Sequence, residues 1–211
     1  MAELSHAEPL VGHVKGEHEC PVLTDPRQST RSGQGPTDAA LVIAARAGEA
    51  WAQEALFRRY ARLVLGLSQR ILAGREEAED LAQDVFVQAL SRLDTLDNPQ
   101  AFAAWISTIV VRTASKRLRR RRLLVRLGLR PAQPIDPDQV IAPGAPADIA
   151  SELRSVYGAL DGMTAEERVA LVLRRVEGME LLEIAERMSL SLATVKRRLT
   201  AAEQKLGLVK R

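Results

Sequence analysis

Seven arginines and one lysine stand in SKRLRRRRLLVRLGLRP, residues 115–131, with no acid among them. A guanidinium row of that density suits phosphate oxygens. It would equally suit an anionic membrane surface, or a basic spacer between folded parts. Upstream the balance inverts: from Glu76 to Asp97 seven acids face one base, Arg92. Neighbouring carboxylates can do acid–base or metal chemistry, but they usually need a histidine beside them. Here His6, His13 and His18 all lie near the N-terminus with the single cysteine, Cys20, at spacings that match no compact zinc signature. No glycine-rich phosphate loop or nucleophile elbow occurs. The sequence therefore predicts a binding protein rather than an enzyme, with no cofactor and no metal. The segregated charges predict two partners, one basic or polar and one polyanionic.

These charges need elements to carry them, and the apolar periodicity is helical throughout. Residues 1–36 show no sustained pattern and end in STRSGQGPTD, which predicts a disordered extension. Asp38 is placed to cap a first helix that stops at Gly48. A second helix carries Ala52, Leu56, Tyr60, Leu63, Val64, Leu67 and Ile71, and turns at Gly74. The third spans about 76–93, with Ala78, Leu81, Ala82, Val85 and Ala89 inward and Glu76, Asp80, Gln83, Asp84 and Val87 on another face. After Asn98-Pro99 a fourth buries Phe102, Trp105, Ile106, Ile109, Val110 and Thr113, leaving Arg112, Lys116, Arg119 and Arg120 together on the opposite side.

Between 123 and 150 come Pro131, Pro134, Pro137, Pro143 and Pro146, a density that no helix interior tolerates. This is a linker, and its reach of roughly 90 Å leaves the flanking domains free not to touch. Helices resume with Ile149, Leu153, Val156, Tyr157 and Leu160. Thr164 and Glu167 then form a capping box before Val169, Val172, Leu173 and Val176. The closing pair has helix-turn-helix spacing: Leu181, Ile184, Ala185 and Met188 inward, a turn at Ser189-Leu190, and Ser191 as N-cap of a second helix. That helix buries Leu192, Val195, Leu199, Ala202 and Leu206, and presents Thr194, Lys196, Arg197 and Thr200 to a major groove. Arg198 falls at its flank. A helical hairpin with merely solvated bases would show the same periodicity.

AEDLAQDVF (78–86), FAAWISTIVVRTASKRLRR (102–120) and RVEGMELLEIAERMSLSLATVKRRL (175–199) together resemble bacterial RNA polymerase sigma factors of the extracytoplasmic-function (ECF) type. Residues 38–122 are similar to the second sigma domain and 151–208 to the fourth. The resemblance implies an all-α fold of two small helical domains joined by a proline-rich linker: an extension to 36, domain two over 37–122, a linker over 123–150, and domain four over 151–208. It implies a cytoplasmic, dissociable promoter-specificity subunit that is not an enzyme, takes no cofactor and inserts in no membrane. Its implied partners are core RNA polymerase, through the clamp helices of the largest subunit and the flap, promoter DNA, and an anti-sigma factor.

By that resemblance Glu79, Asp80, Leu81, Gln83, Asp84 and Phe86 serve polymerase binding, with Asp80, Gln83 and Asp84 central. The loop Asp94–Gln100 matches the part that captures an unstacked base. Arg112, Thr113, Lys116, Arg119 and Arg120 match the helix facing the minus-10 element, and Ser191, Thr194, Lys196, Arg197 and Thr200 match the minus-35 reader. The chain departs from the family at Ser189 and Ala193, where glycine is common, and at Thr200, Ala201 and Ala202, which are often aromatic or basic. Ser189 must turn left-handed at some cost or alter the turn. A self-standing helix-turn-helix regulator, or a helical adaptor without nucleic acid, are the competing readings.

Overall fold

The computed structural model describes residues 35–72, 74–129 and 146–207. The N-terminal extension with its histidines and Cys20, and linker residues 130–145, lie outside them. Every regular element among the described residues is helical: α1 (Asp38–Arg46), α2 (Ala50–Leu72), α3 (Arg75–Ser91), α4 (Phe102–Arg126), α5 (Ala147–Gly162), α6 (Ala165–Arg175), α7 (Leu181–Met188) and α8 (Leu192–Lys205). Two short 3-10 turns, Leu93–Thr95 and Pro99–Ala101, join α3 to α4. No helix among the described residues is long and apolar enough to cross a membrane.

The first four helices form a bundle around Leu41, Leu56, Val64, Ile71, Leu81, Val85, Phe102 and Ile106. Local chemistry sets most of its ends. Thr37, not Asp38, is the N-cap of α1: its Oγ1 accepts from Ala40 N at 3.3 Å. Asp38 lies one residue inside the first turn, where a carboxylate also suits the helix dipole. It accepts from Tyr60 Oη and, at 2.6 Å, from Arg59 Nη1. Burial first, then the bond and the charge of Asp38, raise the Tyr60 phenol above its ordinary range. Gly48 ends the α1 turn at φ +88°, a region that suits a residue without Cβ.

Several apolar positions depart from the expected stripes. Leu63 on α2 is exposed, while Ser68 is buried and returns its hydroxyl to Val64 O at 2.7 Å. Ile149, Val156 and Val176 are likewise exposed. On α4 the buried set widens to Val111, Ala114, Ser115 and Leu118. The reason is tertiary: α4 packs against α6 and α7 as well as against its own bundle, and α2 also meets α6. Val169, Leu173, Ile184, Val195 and Leu199 thereby join one continuous apolar cluster with the first bundle. The two halves touch, although the linker length did not require it. Helix α4 also continues to Arg126, past the boundary expected at 122, and α5 begins at Ala147.

The second half is closed by the capping box at Thr164, where Glu167 N donates to Thr164 Oγ1 at 3.2 Å and Thr164 N to Glu167 Oε2 at 2.7 Å. Lys205 Nζ reaches the same carboxylate at 2.6 Å, tying the end of α8 to the start of α6. Burial alone would raise the Glu167 pKa. The Lys205 ion pair and the Thr164 bonds outweigh burial and lower it. A carboxyl depressed in the folded state stabilises the fold above its unfolded pKa of about 4.3, and that stability is lost as pH falls through the folded value. Urea titrations between pH 7 and pH 3 should show the acid limb flattened in Glu167→Gln, with lower stability than the parent at pH 7.

Candidate nucleic-acid interface

Helix α3 fixes its surface by putting Ala78, Leu81, Val85, Phe86 and Ala89 inward. Glu79, Asp80, Gln83, Asp84 and Val87 are exposed. Among the six residues assigned to polymerase binding, Leu81 and Phe86 are buried. They lie beneath the exposed ones, and Phe86 packs on Phe57 with ring centroids 4.7 Å apart. Glu79 accepts from Arg75 Nε at 2.9 Å along the same helix. Asp84 is bridged by Arg117 of α4, which also donates to Glu77 O at 3.1 Å. The acidic face and the basic helix are thus fastened to each other.

The loop 94–100 is held from below. Arg46 donates its Nε to Leu93 O at 3.1 Å and its Nη2 to Leu96 O. Asn98 Oδ1 accepts from Gln100 N at 3.0 Å and caps the second 3-10 turn. Leu93 and Leu96 are buried, and Asp94, Thr95, Asp97 and Asn98 face solvent. Phe102, at the loop's end, packs on Tyr60 and Trp105 at centroid distances of 4.9 and 5.8 Å. Those rings are core, with Phe102 almost wholly buried.

Along α4, Arg112, Lys116, Arg119 and Arg120 are exposed and Thr113 is half-buried. Arg112, Thr113, Lys116 and Arg120 line one shallow groove with Gln88 and Arg92, a cationic surface of the kind that tracks phosphates. Two of the row are engaged by the second half. Arg112 Nη2 donates to Ser189 Oγ at 2.7 Å, and Arg119 Nη1 pairs with Glu166 at 3.0 Å. Sequence periodicity gave no sign of these partners, because they lie 77 and 47 residues away.

In the helix-turn-helix, Ser189 takes φ +55°, ψ +45° and closes α7. Its amide donates to Glu186 O at 3.1 Å, and Leu190 N to Ala185 O at 2.9 Å. A non-glycine residue pays roughly 1–2 kcal/mol there. Replacement by glycine recovers most of that, less the greater chain entropy it adds to the unfolded state and the exposed bond from Arg112 that it removes. Ser189→Gly should raise the melting midpoint by about 1–2 °C and Ser189→Val should lower it, measured by scanning calorimetry. Ser191 caps α8, accepting from Thr194 N at 3.2 Å. Its hydroxyl also meets Thr194 Oγ1 at 2.8 Å, so both side chains are partly committed to the helix start. Ala193, Lys196, Arg197 and Thr200 share the exposed face, whereas Arg198 is half-buried with its Nε unpartnered.

Among the described residues no group of His, Cys, Asp and Glu is placed to hold a metal ion. A helix-turn-helix beside a bundle with one acidic and one basic face defines a helical protein built to bind macromolecules at several surfaces. Comparison with known proteins narrows this class. Residues 56–123 match the model of sigma-70 region 2, and residues 153–206 that of sigma-70 region 4. The chain belongs to the sigma-70 family of RNA polymerase sigma factors, in its ECF branch.

Among its relatives, ECF RNA polymerase sigma factor SigM of Mycobacterium tuberculosis is 29% identical over 172 residues, which is 81% of this chain and 83% of SigM. ECF RNA polymerase sigma-E factor of Escherichia coli K12 is 28% identical over 181 residues, 80% of this chain and 91% of that one. The fold is similar to that of RpoE from Bartonella quintana, solved with the anti-sigma factor NepR. That likeness has a TM-score of 0.54 and 21% identity, over 75% of this chain and 98% of that one. It is also similar to CnrH, solved with the cytosolic domain of CnrY, at a TM-score of 0.53 and 24% identity over 81% and 95% of the two chains.

Proposed function

We propose that this sigma factor acts in the cytoplasm as a dissociable promoter-specificity subunit, with its two regions dividing the work. The exposed carboxylates and amide of Asp80, Gln83 and Asp84, with Glu79 beside them, form the surface for the clamp helices of core RNA polymerase. Leu81 and Phe86 hold that surface from beneath. Arg112, Thr113, Lys116, Arg119 and Arg120, with the loop 94–100, take the minus-10 element as it opens. Ala193, Lys196, Arg197 and Thr200 of α8 enter the major groove of the minus-35 element, and Ser191 and Thr194 set the helix start. No covalent step is needed: binding energy opens the duplex, and the strand separated from its partner is held on α4. An anti-sigma protein that covers the same surfaces is the regulatory partner.

The observation that carries this reading is the pairing of an acidic outer face on α3 with a cationic row on α4, in a chain that also holds region 4. A free-standing helix-turn-helix regulator would use the first half, residues 38–122, for dimerisation or sensing, and gives no particular reason for solvent-facing Asp80, Gln83 and Asp84 there. The test is transcription in vitro from a genomic promoter pool, with purified core polymerase alone or with the full chain added. The expected result is a set of new start sites that share two spaced sequence elements. Binding of the chain to palindromic duplex as a dimer, with no new start sites, would favour the regulator instead.

A further inference from the structure

A cleft of about 540 Å³ opens where the C-terminal part of α4 faces the junction of α5 and α6. It lies at the far end of α4 from Arg112 and belongs neither to the acidic face nor to the helix-turn-helix. Leu118, Val125 and Met163 give it an apolar part and Arg122, Arg126 and Arg168 a cationic one, with the single acid Asp161 among the lining residues. Arg168 is the unusual member. It stands in the middle of α6, is only 4% exposed, and its Nε and Nη2 are buried without a hydrogen-bond partner. A buried guanidinium with two donors unmet is costly, and native proteins rarely keep one without a use. Burial, joined by the charges of Arg121 and Arg122 and opposed by those of Asp161 and Glu77, pushes this guanidinium down to about 10.

Asp161 and Glu77 act on Arg168 through charge, but neither accepts a hydrogen bond from its Nε or Nη2. Arg122 gives Nη2 to the backbone carbonyl of Asp161 at 2.9 Å. Arg121 is bridged to Glu77 at 3.5 Å. Arg126 is exposed at the rim. The volume falls within the range of small-molecule sites, and apolar walls with a few convergent charged groups are their usual make-up. Guanidinium forks take phosphate oxygens two at a time.

We infer that this cleft binds a phosphorylated small molecule of nucleotide size, its phosphate drawn onto Arg168, Arg122 and Arg126 and its ring laid against Leu118, Val125 and Met163. A modest swing of the Arg168 side chain brings its unpartnered nitrogens to the ligand. Because Arg122 and Arg126 belong to α4 and Arg168 to α6, the ligand bridges the two sigma regions and favours their packed arrangement. The binding site goes beyond the promoter reading and does not depend on it.

The test uses the full chain and the fluorescent probe mant-GDP, followed by anisotropy at physiological salt, with unlabelled GDP, guanosine and inorganic phosphate as competitors. The expected result is saturable micromolar binding that GDP reverses, with guanosine and phosphate each at least tenfold weaker. Arg168→Gln should weaken it at least tenfold, and Arg58→Gln, on an exposed α2 side chain, should leave it unchanged. Should Arg168→Gln fail to fold, Arg126→Glu at the exposed rim serves in its place with the same expected loss. Three results would overturn the inference: no binding at millimolar probe, competition by phosphate as strong as by GDP, or loss of binding on neutralising Lys116 and Arg120 but not Arg168 or Arg126. The last would place the anion on the cationic row instead.

Discussion

Reversing the charges of Asp80 and Asp84 together, as Asp80→Lys with Asp84→Lys, should abolish most of the affinity for core polymerase while leaving the fold intact. Both side chains are exposed, so their replacement opens no cavity. Asp84 does lose its bridge to Arg117, but that carboxylate is more than half exposed, and exposed pairs contribute about 0–1 kcal/mol. At the proposed polymerase interface the effect is larger. Central charged residues in such surfaces typically cost about 2–4 kcal/mol when lost, which is roughly 30- to 1000-fold in Kd. Placing lysines against a surface selected for carboxylates adds repulsion. Surface plasmon resonance with immobilised core enzyme reads the affinity, and circular dichroism the fold. A Kd within threefold of the parent, at unchanged helicity, would remove α3 from the polymerase interface.

The second large effect is in the core. Phe102→Ala removes a side chain that is 1% exposed and stacks between Tyr60 and Trp105. Loss of the ring and the cavity left behind should cost about 3–5 kcal/mol, lowering the thermal midpoint by roughly 10 °C. Phe102 also begins α4 immediately after the second 3-10 turn. Its loss therefore loosens the seat of the loop 94–100. In permanganate footprinting, promoter opening by Phe102→Ala should be weaker than that of the parent even at temperatures where both are folded. Phe102→Leu, which refills most of the space, should recover the larger part of both losses. Equal melting temperatures for Phe102→Ala and the parent would contradict the packing of Phe102 between Tyr60 and Trp105.

The parts legible in the sequence are those governed by nearby residues. The Thr164–Glu167 capping box and the Ser191 cap are each set within a single turn of chain and stand where the sequence places them, and of the two outcomes open to Ser189 the left-handed one is found. The α3 stripe is legible because one face of that helix meets one bundle. The same rule explains what was hidden. Helix α4 is enclosed from two directions, so the burial of Val111, Ser115 and Leu118 depends on α6 and α7, which follow only after the linker. Arg168 looks like a surface residue on composition alone, yet the fold buries it. Thr37 and Asp38 are both competent caps. The choice between them was made by Tyr60 and Arg59, more than twenty residues away, which hold the Asp38 carboxylate. The assigned DNA-facing set was likewise readable as a row, but not the engagement of Arg112 and Arg119 by the second half.

That engagement turns the joint between the halves into a setting on output. Arg112–Ser189, Arg119–Glu166 and Arg70–Glu177 all cross it. If polymerase and promoter accept only molecules in which these links are released, the measured affinity is the intrinsic one scaled by the released fraction. Each additional ~1.4 kcal/mol holding the joint then lowers apparent affinity about tenfold, with no contact to DNA or polymerase altered. Glu177 is in neither of the proposed binding sets, yet its ion pair with Arg70 would then act as a rheostat on how many molecules stand ready. Variation at such positions would let related chains keep one promoter and differ in how loudly they read it.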